Sequence, residues 1–260
     1  MAGNQNSLAF DVASIVSNSY NALKASFSHL ASGSRIASAA DDAAGMAVRE
    51  LLRADIATAR QGASNVSNGI SMLQTAEGAA GVVNANLVRM QELATQASSP
   101  TYSTSQKRLM QQEFGQLAAE NSRIISVTEF NGTPLFAEGS QIDIALGDGN
   151  SISFTTEALT MGFADLASDP LAAAKTVSAA ISQTSSYRGT LGASMQRLES
   201  ASEVLSVQAE NLLASKSRIS DADVAVEIAG MTGRQIRTQV ATAAQVHAGA
   251  VAQVLQLLIG

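Results

Sequence analysis

From Leu52 onward every seventh residue is apolar: Leu52, Ala59, Val66, Leu73, Ala80, Leu87 and Ala94. A row that holds phase this long marks a helix with one continuous coiled-coil seam. A companion row reads Ala76, Val83, Met90 and Ala97 in its second half, but Asp55, Gly62 and Gly69 in its first. The spacing predicts one helix over about 41–98, on the order of 85 Å long. Its Ala and Gly positions predict the close approach of a partner helix. A second row, Val177, Thr184, Leu191, Leu198, Leu205, Leu212 and Ile219, offers that partner, beside a patchier row of Ile181, Arg188, Met195, Ser202 and Ala209. A shorter helix over 105–128 carries Met110, Phe114, Leu117, Asn121 and Ile124 on one face, and Pro100 breaks the chain before it.

Residues 129–169 change period. Phe130-Asn131-Gly132-Thr133-Pro134 carries an Asn-Gly turn, and Ile142, Ile144 and Leu146 alternate, as do Ile152 and Phe154. That alternation predicts a β-hairpin whose loop is Gly147-Asp148-Gly149-Asn150. Forty residues hold a small strand unit and no independent domain.

Both ends keep the seven-residue step, with Ala9, Val16, Leu23 and Leu30 at the start and Ala244, Val251 and Leu258 near the finish. An isolated amphipathic helix of this size is marginal in water. Each end therefore needs a partner, and the other end is the nearest candidate. The expected fold is mainly α: a long antiparallel coiled-coil helical bundle with a small β-hairpin region and paired N- and C-terminal helices. Composition agrees. Aromatic residues are 4% of the chain and Trp is absent, so the apolar 46% is small and aliphatic, suited to narrow helix seams. Charged residues make up 15%, below the roughly 25% of an average domain, which leaves large uncharged surfaces to lie against other protein.

Two markers punctuate the ends, Ser-Gly-Ser-Arg35-Ile36 and Ser-Lys-Ser-Arg218-Ile219, followed by Ser38-Ala-Ala-Asp41 and Ser220-Asp-Ala-Asp223. The Ser-x-x-Asp pattern predicts that Ser38 and Ser220 cap the helices that follow. The markers thus read as matched joints at Arg35, Ile36, Asp41, Arg218, Ile219 and Asp223. They divide the chain into 1–34 and 220–260, the two parts of an inner coiled-coil layer, and 35–219, a helical bundle with its hairpin region near 129–169.

Several classes of function are excluded. The net charge of −6 without a Lys/Arg cluster argues against nucleic-acid binding. No cysteine means no disulfide, thiolate metal site or cysteine nucleophile. No cleaved signal peptide and no membrane-inserting segment are expected. His29 and His247 sit on terminal helices without a spaced second ligand, so packing accounts for them. Asp41 and Asp42 point about 100° apart and make no acid–base pair; helix capping explains them. No catalytic residue, metal ligand or cofactor site is expected, and the chain is read as a non-enzyme.

These same stretches resemble bacterial flagellins. Leu30 to Val48 is similar to the family's N-terminal signature, and Asn65 to Gln96 to the long helix after it. Phe130 to Phe136 looks like its turn after the third helix, and Tyr187 to Leu205 and Asn211 to Ile236 like its C-terminal signature. Ala40 departs from the Lys often found there, the chain ends Leu-Leu-Ile-Gly where many members end in a basic residue, and the large variable outer domains are absent. The resemblance implies a structural subunit that polymerises into the flagellar filament used for motility. In that fold the terminal helices pair in the innermost layer, with the two joints side by side. It further implies an extracellular location in the flagellum, reached without a cleaved signal peptide. The implied partners are further copies of itself in a helical homopolymer, the flagellar export apparatus and an export chaperone, and the filament cap and hook-associated proteins.

Leu8, Val12, Val16, Leu23, Val251, Val254, Leu255 and Leu258 are the expected inner-layer assembly contacts. Leu87 to Leu93 matches the segment through which many flagellins meet a Toll-like innate immune receptor. Arg89, Glu92 and Leu93 carry over, while Val88 and Gln91 depart. Thr155, Thr156 and Thr160 are candidate attachment points for O-linked sugar, as in some members. A hook–filament junction protein and a membrane-active secreted protein are the alternative readings.

Overall fold

The computed structural model describes the backbone of residues 2–147, 149–159 and 161–259; the side chains of 2–9, 248–249 and 251–259 lie outside the description. Five helices and four strands follow in chain order: α1 Ala2–Ser32, α2 Ala43–Ala97, α3 Thr104–Val127, β1 Glu129–Phe130, β2 Thr133–Pro134, β3 Gln141–Gly147, β4 Asn150–Thr155, α4 Pro170–Ser220 and α5 Val224–Ile259. They group into two compact units. One comprises Met1–Ile56 and Asn211–Gly260, the other Ala57–Glu210. The division falls inside α2 and α4.

The 57–210 unit contains a core built from the two heptad rows. Ala59, Val66, Leu73, Ala80, Leu87 and Ala94 of α2 are buried, as are Val177, Thr184, Leu191, Leu198 and Leu205 of α4. The Glu77–Arg188 ion pair, 2.6 Å long, ties the two helices beside the seam. α3 completes the second half of this core, with Phe114 buried beside Met90 and Leu93. Its start is fixed by Ser103, whose backbone and side chain exchange hydrogen bonds with Gln106 as a capping box. Asn121 is fully buried; it accepts from Asn86 at 2.8 Å and donates to the Met90 sulfur, which satisfies a polar group inside the seam.

Between the seams sits the strand region. β3 and β4 pair antiparallel, Ile142 with Phe154 and Ile144 with Ile152, in the predicted alternation. Gly147 and Asn150 pair with each other, so the loop shrinks to residues 148–149, with a bulge between Ala145 and Gly147. Asp148 lies outside the described residues. A second, shorter hairpin pairs β1 with β2 across Asn131-Gly132, both at positive φ (50° and 77°), the two-residue turn that suits the strand twist. Tyr187 pins this hairpin to α4: its buried hydroxyl donates to the Leu135 carbonyl at 2.7 Å, and its ring packs near Phe136 and Phe154. Of the candidate sugar attachment points, Thr156 is buried and donates its hydroxyl to the Ala137 carbonyl, Thr155 is exposed, and Thr160 lies outside the described residues.

The early glycines of α2 serve a different neighbour from the one expected. A Cβ on Gly62 would stand 1.9 Å from the Leu146 carbonyl oxygen, and one on Gly69 2.5 Å from the end of Ile144. The element that approaches them most closely is β3, with Leu205 of α4 next at 3.3 Å from the Gly62 position.

The unit of the two chain ends has a different character. α1 and α5 run antiparallel along each other, Ser26 facing Arg234 and His29 facing Glu227. Among the described residues of this unit, the buried apolar side chains are Ile36 and Ile56 alone. Phe10, Ile15, Tyr20 and Phe27 of α1, and Val224, Val226, Ile228, Ile236, Val240 and Val246 of α5, are exposed. Among the described residues the apolar outer faces of the two paired helices are left open to solvent.

Candidate assembly surface

The joint between the chain ends is built from the two markers. Helix α1 stops at Ser32, and Gly33 follows in the left-handed region (φ 66°), the usual way to end a helix. The chain then runs extended through Ser34, which bridges antiparallel to Asp221. The Arg35 amide donates to the Ser220 carbonyl at 2.7 Å, and the Ala222 amide to the Gly33 carbonyl at 3.1 Å. The Ser34 hydroxyl lies 2.8 Å from that of Ser220 and 2.9 Å from the Ser220 carbonyl oxygen. Arg35 reaches the Ile219 carbonyl, one of the orphan acceptors at the end of α4, at 2.8 Å. The two similar markers adopt different conformations: the first leaves α1 through a turn at Gly33 and a bridge at Ser34, the second closes α4 as helix.

Ile36 is buried between the joint and the start of α2. Its carbonyl accepts from Arg49 at 2.7 Å and from Ser34 at 3.0 Å. A Cβ on Gly45 would meet Asp42 and Ile36 at under 3 Å, which explains a glycine in the first turn of α2.

The caps of α2 and α5 are carboxylates, Asp42 among them as expected, and not the two serines. Ser38 and Ser220 cap nothing. Asp42 caps α2, accepting from the Gly45 amide at 2.8 Å, and Asp223 caps α5, accepting from Ala225 and Val226 at 3.0 and 3.1 Å. A carboxylate carries full charge into the positive helix end, which a serine hydroxyl cannot. Asp41 has a separate task. Its carboxylate closes the 37–41 loop by accepting from the Ala37 amide, the Ser38 amide and the Ser38 hydroxyl. The Ser38 amide bond is the largest cause holding this carboxyl below its ordinary range, against an opposing cost of desolvation.

Of the other expected joint residues, Arg218 is exposed and turns to Ser215 at 3.0 Å, and Ile219 is half-buried. Of the expected assembly contacts, Val12, Val16 and Leu23 are half-buried along α1. The side chains of Leu8, Val251, Val254, Leu255 and Leu258 lie outside the described residues. His247 is exposed, whereas His29 is half-buried beside Asp41 and Glu227, an arrangement that sequence spacing does not reveal because the partners are far apart in the chain.

On α2, Arg89 and Glu92 stand exposed and paired at 3.0 Å. Arg89 also binds Glu113 of α3 at 2.8 Å, a partner the heptad reading does not supply. The two carboxylates push the guanidinium further toward its charged form. Leu93 departs from the expected receptor-contact group. It is 2% exposed in the seam with α3 and α4, so its side chain is closed to a surface contact in the folded chain.

Among the described residues no group of His, Asp and Glu is arranged to hold a metal ion. Also among them, no helix is long and apolar enough to cross a membrane. What this surface offers is exposed apolar area on two paired helices.

Residues 4–141 match the family model described as the bacterial flagellin N-terminal helical region, and residues 174–258 match the bacterial flagellin C-terminal helical region. A flagellin of Halalkalibacterium halodurans is 36% identical over 242 residues, covering 88% of this chain and 89% of that protein. A flagellin of Bacillus subtilis is 32% identical, covering 98% and 99%. The crystal structure of Bacillus cereus flagellin aligns at a TM-score of 0.51 and 28% identity, over 59% of this chain and 94% of that one.

Proposed function

This chain belongs to the bacterial flagellin family, and we infer that its paired terminal helices are the surface by which it polymerises. It is a structural protein, a subunit of the flagellar filament used for motility. The observation that supports the terminal helices as the assembly surface is the contrast between the two units. The 57–210 unit buries its heptad rows internally, while the chain-end unit leaves Phe10, Phe27, Ile236, Val240 and Val246 exposed. Each square ångström of apolar surface covered by a neighbouring copy contributes about 25 cal/mol. That gain repeats at every added subunit, which is what a polymer needs and an isolated monomer cannot obtain.

In this reading Leu8, Val12, Val16, Leu23, Val251, Val254, Leu255 and Leu258 make the inner-layer contacts. Arg35, Ile36, Asp41, Arg218, Ile219 and Asp223 set where the chain leaves that layer. The chain travels through the flagellar export apparatus to the cell exterior. An export chaperone attends it before passage, and the filament cap and hook-associated proteins bound it afterwards. Contact with a Toll-like receptor, where it occurs, uses Arg89 and Glu92 on the exposed side of α2.

The hook–filament junction alternative has less support. The relatives matched over most of the chain are named flagellins and flagellar filament core proteins. The double substitution Leu255→Asp with Leu258→Asp tests the reading. Introduced charges are expected to leave a soluble monomer with an intact 57–210 unit; normal filaments from this variant would refute the assignment.

A further inference from the structure

His29 stands where α1, the joint loop and α5 come together. Its Nε2 is 3.6 Å from the Asp41 carboxylate and its Nδ1 is 3.7 Å from the Glu227 carboxylate. The three side chains are 18%, 27% and 22% exposed, His29 and Glu227 being half-buried and Asp41 standing at the surface of the joint loop. Each carboxylate has further ties. Asp41 is already fixed by the Ala37 and Ser38 amides. Glu227 also faces Arg234 at 3.7 Å, and Arg234 donates to the buried Ser26 of α1. The charged groups facing His29 are therefore Asp41 from the loop and Glu227 with Arg234 from α5.

Only one protonation state of an imidazole suits two carboxylates, one at each ring nitrogen. The doubly protonated ring offers an N–H to both. The neutral ring has a single N–H and turns a lone pair toward the other acid. Histidine is also the side-chain type that changes charge across the neutral range. We propose that His29 is a proton-dependent clasp, bridging Asp41 and Glu227 when charged and thereby tying the end of α1 to the joint loop and to α5. Acidity around the filament then sets how firmly the terminal helix pair holds at its joint. The clasp rests on the filament reading above, because it acts on the surface that polymerises.

The test compares filaments of the full-length wild-type chain with those of His29→Gln and His29→Arg between pH 5.5 and 8.5, reading the rate of depolymerisation on heating. Arginine keeps the charge at every pH, and glutamine never has it. At pH 5.5 the glutamine filaments are expected to depolymerise several-fold faster than wild type, and the arginine filaments at the wild-type rate. At pH 8.5 wild type is expected to join the glutamine variant, while arginine holds. Should the glutamine variant fail to assemble, Glu227→Gln and Asp41→Asn, each removing one end of the bridge, are each expected to flatten the wild-type pH profile. A ratio of glutamine to wild-type rates that does not change with pH overturns the clasp, as does an unaltered pH profile in both carboxylate variants. Either result leaves the filament reading standing, since the filaments themselves will have formed.

Discussion

The hydroxyl of Ser34 lies 2.8 Å from the hydroxyl of Ser220, so residues 186 positions apart in the chain share one hydrogen bond at the joint. Ser34 also reaches the Ile36 and Ser220 carbonyls, and Ser220 is buried. Ser34→Ala leaves those acceptors with fewer donors. The expected cost is about 1 kcal/mol, read as a lower melting temperature of the filament, with the 57–210 unit unchanged in the monomer.

Tyr187 anchors the β1–β2 hairpin to α4 through one hydrogen bond. Tyr187→Phe keeps the ring packing and strands the Leu135 carbonyl without a donor, at a cost of about 1–3 kcal/mol. Burial pushes the phenol up to about 12. Its pKa in the folded chain is thus above the unfolded value of about 10. The stability it contributes is complete below about pH 10 and is lost as pH rises from there through about 12. Urea titrations at pH 8 and pH 11 should show wild type losing more stability than Tyr187→Phe across that interval.

Gly62 and Gly78 lie on the same helix and should respond oppositely to alanine. At Gly62 the added methyl meets the Leu146 backbone carbonyl, which cannot yield without moving β3. At Gly78 it meets open space. Gly78→Ala is expected to stabilise the monomer by about 1 kcal/mol through helix propensity. Gly62→Ala is expected to destabilise it by about 1–3 kcal/mol through overpacking. Thermal unfolding of the two variants checks the sign of each.

Asp41 supplies an acid-side prediction. Its carboxyl is held below its ordinary range chiefly by the Ser38 amide. A carboxyl depressed by folding contributes stability above its unfolded pKa, near 3.9, and that stability is lost as pH falls through the lower folded value. The difference in filament stability between wild type and Asp41→Asn should therefore be full at pH 5 and shrink below about pH 4. A difference that persists unchanged at pH 2.5 would contradict this role.

Much of the fold was legible because one physical rule dominated it. The rows Leu52 to Ala94 and Val177 to Ile219 had to bury a common face, and only paired helices do so at that period. The alternation of Ile142, Ile144, Ile152 and Phe154 likewise admitted only a hairpin. Pairing partners were less visible. Gly62 and Gly69 announced a close approach, but periodicity cannot say whether a helix or a strand makes it. Ser38 and Ser220 fit a capping pattern that Asp42 and Asp223 filled instead, because two adjacent frames competed and charge favours the carboxylate. Leu93 looked like a surface residue by its place in a matched segment, yet it lies in the seam that α2 shares with α3 and α4. The His29 arrangement draws its acids from a loop and from α5, so no local spacing encodes it.

The central claim is that the terminal helices fold against neighbours because the chain alone cannot cover their apolar faces. Electron microscopy of the purified chain, with and without its last twenty residues, tests it most directly when paired with circular dichroism of the shortened form. The account predicts long filaments from the full chain, and from the shortened one only monomers that keep the helical signal of the 57–210 unit. Ordinary filaments assembled without those twenty residues would contradict it.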